Sequence, residues 1–456
     1  MTLREPARGL PPPRSGFSIA TGTRAFRHHN YRLFFGGQLV SLVGTWMQQV
    51  AQAWLVLDLT NDPFVLGLVT ALSFFPVLVL GLFGGLIADA LPKRQTLIVT
   101  QGIQMTLAFT LFALTVTGAV EVWHVLVLAT LLGITNAVDM PTRQAFTMEM
   151  VGREDIPNAV ALNAAIFNGA RVVGPAVAGL TIGLFGGNVS PAFLINGLSF
   201  VAVILAYLAM RESELMRRGD RVRPGSLREV GTSLADGLRY VRRHELVLLA
   251  TVVVGLTATF GMNFGVVIPA LAREVLGTDA TGYGFLMTAT GIGSLVAALG
   301  IAFSGRSRPV FVPVGSVILG LALLASSVIH VFGAALVAML FVGFGAIGMA
   351  ATANATVQLG VPDELRGRVI SVYTTVFVGS TPLGGLLTGW IASAFSVEAA
   401  IAIGGVGSLL AGTFGLVWLR RIQARRGLPL TAAQGTKGRE RVEPGAASVP
   451  TGARPR

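Results

Sequence analysis

The chain has 456 residues, 53% of them hydrophobic and 12% charged, with a mean hydropathy of +0.70 and a net charge of +12. Soluble domains carry about 25% charged residues, so half that share excludes an ordinary soluble globule and points to a membrane protein. The lack of cysteine excludes disulfides, thiolate metal sites and cysteine nucleophiles.

Residues 1–24 are rich in Pro, Arg and Gly and have no apolar period, which predicts a disordered arm. They lack the apolar core and cleavage site of a signal peptide, so the first apolar run is itself the targeting element. Phe26 to Arg32 reads as an interfacial lead-in. Twelve apolar runs follow, near 31–58, 64–88, 95–117, 122–144, 159–185, 190–210, 246–270, 281–303, 310–330, 333–358, 368–394 and 398–419. Each approaches the roughly 20 residues that a bilayer-spanning helix needs, and they are numbered here as spans 1 to 12.

The charges support this count. Of the 34 Lys and Arg, only Arg273 falls on the side opposite the termini, and only Arg171 falls deep within a span. The rest gather in the N-terminal arm, the connections 2–3, 4–5, 6–7, 8–9 and 10–11, and the tail. A missed or invented span would scramble that segregation. Positive residues mark the cytoplasmic side, so both termini are expected there. The basic excess is a topology signal and not a nucleic-acid footprint.

Span 1 carries Gln38, Ser41, Thr45, Gln48, Gln49 and Gln52 at helical spacing, one polar face along a membrane helix. Such a face either lines a cavity or bonds neighbouring helices. Asp58 closes the span as a solvated end residue. Between spans 2 and 3, Gly85, Asp89, Lys93 and Arg94 form a short charged turn, and an Asp at a membrane helix end needs a partner. Span 4 ends with Asp139 and Arg143, spaced to pair across one turn, with Pro141 between them. Span 5 carries Asn163, Asn168, Gly169, Arg171, Gly174, Pro175 and Gly179. Arg171 is a charge at depth that needs acceptors, as a structural group or as part of a substrate or coupling site.

Segment 211–245 is basic. From the capping-box pattern Ser226-Leu-Arg-Glu229 it predicts an amphipathic helix with a stripe of Leu227, Val230, Leu234, Leu238 and Val241, lying on the membrane and tying two halves together. The second half echoes the first: Val151-Gly-Arg-Glu-Asp before span 5 returns as Val361-Pro-Asp-Glu-Leu before span 11. Gly174-Pro175 with Gly179 returns as Thr381-Pro382 with Gly384 and Gly385. The turn between spans 8 and 9 keeps Arg306 and Arg308 but has no acid. The expected organisation is a disordered arm 1–24, a half 25–210, a cytoplasmic linker 211–245, a half 246–419 and a disordered basic tail 420–456.

The turn after span 2 resembles the signature loop Gly-x-x-x-Asp-Arg-x-Gly-Arg-Arg of the major facilitator superfamily, with Ala90 and Pro92 departing from it. Phe26-Arg-x-x-Asn30-Tyr-Arg-Leu-Phe-Phe, Trp54-Leu-Val-Leu-x-Leu-Thr60, Asp139-Met-Pro-x-Arg143-Gln-Ala-Phe and Asn163 through Gly179 resemble the enterobactin-exporter and macrolide-efflux branch. The resemblance covers about 25–420. It implies an all-α integral membrane fold of 12 transmembrane helices in two parallel-related six-helix halves. It also implies a monomeric secondary transporter in the cytoplasmic (inner) membrane that exports amphipathic small molecules, drug or siderophore-like, by alternating access with proton antiport. In this picture Asp89 docks on the start of span 11 near Arg366 and Arg368 to lock the cytoplasmic gate. Lys93 and Arg94 hold the loop and face anionic lipid. Gly169, Gly174, Pro175 and Gly179 loosely match an antiporter motif. Asn163, Asn168, Arg171 and the span 1 face form the substrate cavity, with Asp139 and Arg143 as coupling candidates.

The residues keep other readings open: an importer or lipid transporter of the same fold, or a non-transporting receptor or scaffold. No nucleotide-binding motif is present, and no His, Asp or Glu set has catalytic or metal-ligand spacing. Neither an enzyme nor a cofactor is expected.

Overall fold

The computed structural model describes residues 23–152, 154–216, 227–304 and 308–426. Most of the expected disordered arm and tail lies outside the described residues, as do Arg153, Ser226, Arg306 and the side chains of Asp89, Leu227 and Val230. The regular elements described are all helical. In the first half they are span 1 His29–Thr60, span 2 Pro63–Ala90, span 3 Lys93–Val116, span 4 Val122–Met150, span 5 Ile156–Leu184 and span 6 Ser190–Leu208. In the second half, span 7 is Glu245–Gly261 continued by Phe264–Ala270 and a π turn Leu271–Val275. Spans 8 to 12 are Ala280–Ser304, Phe311–Ser326, Phe332–Leu359, Asp363–Ala394 and Val397–Arg426. Span 12 therefore runs as helix into the segment expected to be tail.

Among the described residues, ten of these are long and apolar enough to cross a membrane. Span 1 has the length, 32 residues, but its polar face dilutes its hydropathy. Span 9 is apolar but has 16 residues, about 24 Å at 1.5 Å per residue, short of a hydrocarbon core of about 30 Å. The protein is an integral, multi-pass membrane protein.

Local chemistry sets the breaks. Asn61 takes a left-handed conformation (φ 50°) after span 1, and the Asp62 carboxylate then accepts from the Phe64 amide at 2.9 Å. Pro63 follows at the first helical position, where its missing N–H costs nothing. Only Leu91 and Pro92 separate spans 2 and 3. Span 7 breaks at Met262 and Asn263. There Asn263 Nδ2 donates to the Thr259 carbonyl at 2.8 Å and to Thr388 Oγ1 at 2.9 Å, satisfying a carbonyl at the helix end.

In the first half, span 1 packs on spans 5 and 6, span 2 on span 4, and span 3 on spans 4 and 6. The second half repeats this with every number raised by six: span 7 on 11 and 12, 8 on 10, and 9 on 10 and 12. Two parallel-related six-helix halves result. Their principal mutual contacts are spans 2 with 11 and 5 with 8, again a symmetric pair. Each seam depends on missing side chains. A Cβ on Gly67 would sit 2.4 Å from the Gly385 carbonyl oxygen, and one on Gly284 2.7 Å from that of Pro175; small residues let membrane helices approach this closely.

The amphipathic helix Leu227–Arg243 docks on span 11 and the start of span 7. Val241 is buried, Tyr240 Oη donates to the Gly360 carbonyl at 3.1 Å, and Asp236 accepts from Arg368 at 2.9 Å. Part of the apolar stripe expected to rest on lipid is thus turned onto protein. This helix and the 2–3 turn lie at one end of the bundle, called here the near face. The 1–2 turn and the π turn of span 7 lie at the other, the far face.

Candidate functional site

A buried polar network fills the near half of the first six helices. Asp139 is fully buried and pairs with Arg143 one turn on, Pro141 being accommodated within the continuous helix. Asp139 Oδ1 also accepts from Thr100 Oγ1 at 2.8 Å and Gln101 Nε2 at 2.9 Å. Arg143 donates to Gln38 Oε1 at 3.0 Å, and Gln38 Nε2 donates to the Tyr207 hydroxyl at 2.9 Å. A buried ion pair is tenable only with such additional bonds.

The polar face of span 1 is therefore divided. Gln38 and Ser41 are buried, Thr45 bonds the Ser41 carbonyl at 2.9 Å, and Gln48 accepts from Asn196 of span 6 at 2.6 Å. Gln49 is exposed and Gln52 half-buried. The expectation that all six line a cavity is corrected for Gln38 and Gln48, which bond Tyr207 and Asn196 of span 6, and for Ser41, which is buried. Asn163 is also engaged, accepting from the Tyr31 hydroxyl at 3.1 Å and donating to Thr147 at 3.2 Å. Asn168 bonds the Ala164 carbonyl of its own helix at 2.8 Å.

At the 2–3 turn, Lys93 and Arg94 do not face lipid as expected. Lys93 pairs with Glu149 at 2.7 Å. Arg94 pairs with Glu212 at 2.5 Å and donates to the Tyr207 and Leu208 carbonyls at 2.7 and 3.0 Å, capping span 6, because a helix end offers free carbonyls to a nearby cation. Gly85 has open space where a Cβ would stand. The expected partners of Asp89 are occupied: Arg366 by Asp363 of its own first turn and the Gln358 carbonyl, Arg368 by Asp236.

On span 5, the Arg171 guanidinium lies 5.6 Å from the Trp46 ring centroid, and Trp46 meets Phe167 edge-on at 5.8 Å. Arg171 Nε is buried without a hydrogen-bond partner. Among the described residues, no carboxylate forms an ion pair with Arg171. Gly174 gives span 1 its close approach, its Cβ position being 2.5 Å from that of Trp46, while Pro175 and Gly179 meet Gly284 of span 8. Gly169 faces open space.

The far face holds a contact between halves. Arg273 of the span 7 π turn pairs with Asp58 of span 1 at 2.5 Å and lies 5.6 Å from the Trp54 ring. Trp54 stacks on Tyr283 of span 8 with centroids 6.3 Å apart. Asp58 is thus a bridging residue and not merely a solvated end. At the near face, buried Asp155 holds Arg27 at 2.7 Å, His28 at 2.9 Å and Arg24 at 3.5 Å. The His28 hydrogen bond, with the charges of Arg27 and Arg24, keeps its carboxyl below the usual carboxylate value against the opposing effect of burial.

Residues 20–436 match the family described as transmembrane secretion effector, within the major facilitator superfamily. The chain belongs to this family. It is 26% identical over 385 residues to the staphyloferrin A transporter of Staphylococcus aureus, covering 83% of this chain and 93% of that protein. It is 28% identical to the multidrug efflux pump Tap of Mycolicibacterium fortuitum (79% and 88% covered) and 22% identical to macrolide efflux protein A of Streptococcus pyogenes (82% and 92% covered). Solved transporter structures share the fold. A bacterial homologue of the human lysosomal transporter Spinster, inward-facing and unoccupied, superposes with TM-score 0.66 at 12% identity, over 88% of this chain and 96% of that one. A POT family transporter in complex with 5-aminolevulinic acid superposes with TM-score 0.68 at 10% identity, over 87% and 97%. The protein is a membrane transporter of small molecules and not an enzyme.

In this secretion effector, several site residues escaped the sequence reading. Thr100, Gln101 and Tyr207 complete the Asp139 network from spans 3 and 6, and nothing local to span 4 names them. Arg273 did leave a signal. It is the one cation that breaks the charge segregation, and a solitary basic group on the far side calls for an acid there.

Proposed function

We propose that this protein is a secondary exporter of amphipathic small molecules, working by alternating access in the cytoplasmic membrane, with the near face and both termini cytoplasmic. The observation that carries the reading is the pairing of the two halves: two glycine seams, with the far ends bridged by Asp58 and Arg273. Glycine seams allow close contact without interlocking side chains, so the halves can rock as bodies while the far bridge makes and breaks. The names of the relatives, a siderophore transporter and two drug efflux proteins, support export of drug or siderophore-like cargo.

The remaining assignments belong to the same proposal. Asp89 docks on the start of span 11 when the near ends close, competing with Asp236 for the region of Arg368. Proton antiport runs through Asp139 and Arg143, the buried ion pair, whose polar partners can re-form around a protonated carboxyl. The transporter acts as a monomer. Cells expressing the chain are compared with empty-vector cells for retention of dyes, macrolides, tetracyclines and catecholate siderophores, with and without a protonophore. At least one class is retained less, the protonophore removes the difference, and Asp139→Asn behaves like the protonophore at equal membrane abundance. Equal retention of every compound in both conditions overturns the exporter reading.

A further inference from the structure

Span 5 is exposed along two faces. One is Val173, Leu180 and Leu184, at 47%, 51% and 84% exposure, apolar throughout and suited to lipid. The other carries Val160 and Phe167, at 55% and 48%, together with Arg171. Two residues turn a helix by about 200°, so Arg171 points away from the lipid-suited face that begins at Val173. Its backbone sits on the 5–8 seam: a Cβ on Gly291 would lie 2.8 Å from the Arg171 carbonyl oxygen. From the near-face start of the helix at Ile156, Arg171 is about 22 Å deep.

A guanidinium at that depth is retained only where it has work or partners. Among the described residues it engages the Trp46 ring, and its Nε is buried without a hydrogen-bond partner. The planar fork of Arg matches a carboxylate in two parallel hydrogen bonds, and the edge-on Trp46 and Phe167 rings provide an apolar wall beside it. We infer that Arg171, Trp46 and Phe167 form an anion subsite that takes the carboxylate of an amphipathic organic acid, the acid's aromatic or aliphatic body lying on the two rings. This deepens the exporter reading and rests on it for the direction of movement. Cargo arriving from the near face would bring the missing counter-charge with it, so charge and hydrophobicity are recognised together.

The test uses two probes that differ by one charge: rhodamine B, with a free carboxylate, and its ethyl ester. Binding is measured by fluorescence polarisation to the full chain in lipid nanodiscs, and movement by efflux from loaded cells. The wild type binds the acid about tenfold more tightly than the ester, the scale of a charge-assisted hydrogen-bonded contact. Arg171→Gln binds the two alike, Arg171→Lys keeps part of the preference, and Trp46→Ala weakens both. Monodisperse elution certifies each variant, and if Arg171→Gln misfolds, a reduced preference in Arg171→Lys carries the test. A preference that survives Arg171→Gln, or its absence in the wild type, overturns the subsite. Efflux of both dyes without a binding preference rejects the subsite and leaves export standing. An Arg171-dependent preference without movement of either dye supports the subsite and rejects only these dyes as exported cargo, the retention panel deciding export itself.

Discussion

Two guanidinium groups and an imidazole converge on one carboxylate, Asp155, and tie the Arg24–Arg27 turn to the start of span 5. Because that carboxyl is held below its usual value, it binds fewer protons folded than unfolded near pH 4. Its stabilisation is present above the unfolded value of about 3.9 and is lost as pH falls through the lower folded value. Asp155→Asn therefore unfolds at lower temperature than wild type at pH 7 in detergent, and the gap narrows as the pH approaches 3. A gap that stays constant down to pH 3 contradicts the assignment. The acid and the bases were all visible in the sequence, but their convergence was not. The lone far-side Arg273 called for an acid, but its pairing with Asp58 stayed hidden for the same reason: they are 215 residues apart, and pairing at that range depends on how the halves meet.

Helices were the most legible level, because a hydrocarbon solvent forces each spanning segment to satisfy its own backbone and so writes length and apolarity directly into the chain. All twelve apolar runs correspond to helices. What periodicity could not decide was which neighbour a face meets. Span 1 shows this, its polar stripe being shared between span 6 contacts and exposed Gln49. Span 7 adds a break at Asn263 that an unbroken hydropathy run conceals. The seams are testable at this level with glycines of one helix. Gly67→Ala places a methyl group 2.4 Å from the Gly385 carbonyl oxygen, whereas Gly81→Ala meets nothing within 4 Å. Backbone cannot yield as a flexible side chain can, so Gly67→Ala costs about 1–3 kcal/mol and lowers transport, while Gly81→Ala matches wild type in both. Equal thermal midpoints and equal transport for the two variants rule out a tight 2–11 seam.

For the molecule as a whole, the alternating-access proposal makes the far-face bridge the contact that sets which way the equilibrium between two openings leans. Asp58 and Arg273 are 44% and 28% exposed at the side chain, so solvent screens them, and the ion pair with the Trp54 ring contributes about 1 kcal/mol. That is small against folding but is a roughly fivefold change in a two-state population. Asp58→Asn removes the charge and keeps the shape, so it enriches the state whose far ends are apart. The cysteine-free chain suits a direct measurement. Spin labels at Phe185→Cys and Phe395→Cys report the far face, and labels at Leu208→Cys and Leu359→Cys report the near face. In Asp58→Asn the far-face distances lengthen and the near-face distances shorten, the reciprocal motion that rocking halves require. The double exchange Asp58→Arg with Arg273→Asp restores much of the wild-type distribution, which a role for either residue alone does not explain. Unchanged distances on both faces in Asp58→Asn remove the bridge from the mechanism, and far-face lengthening without near-face shortening means that the ends fray locally and the halves do not rock.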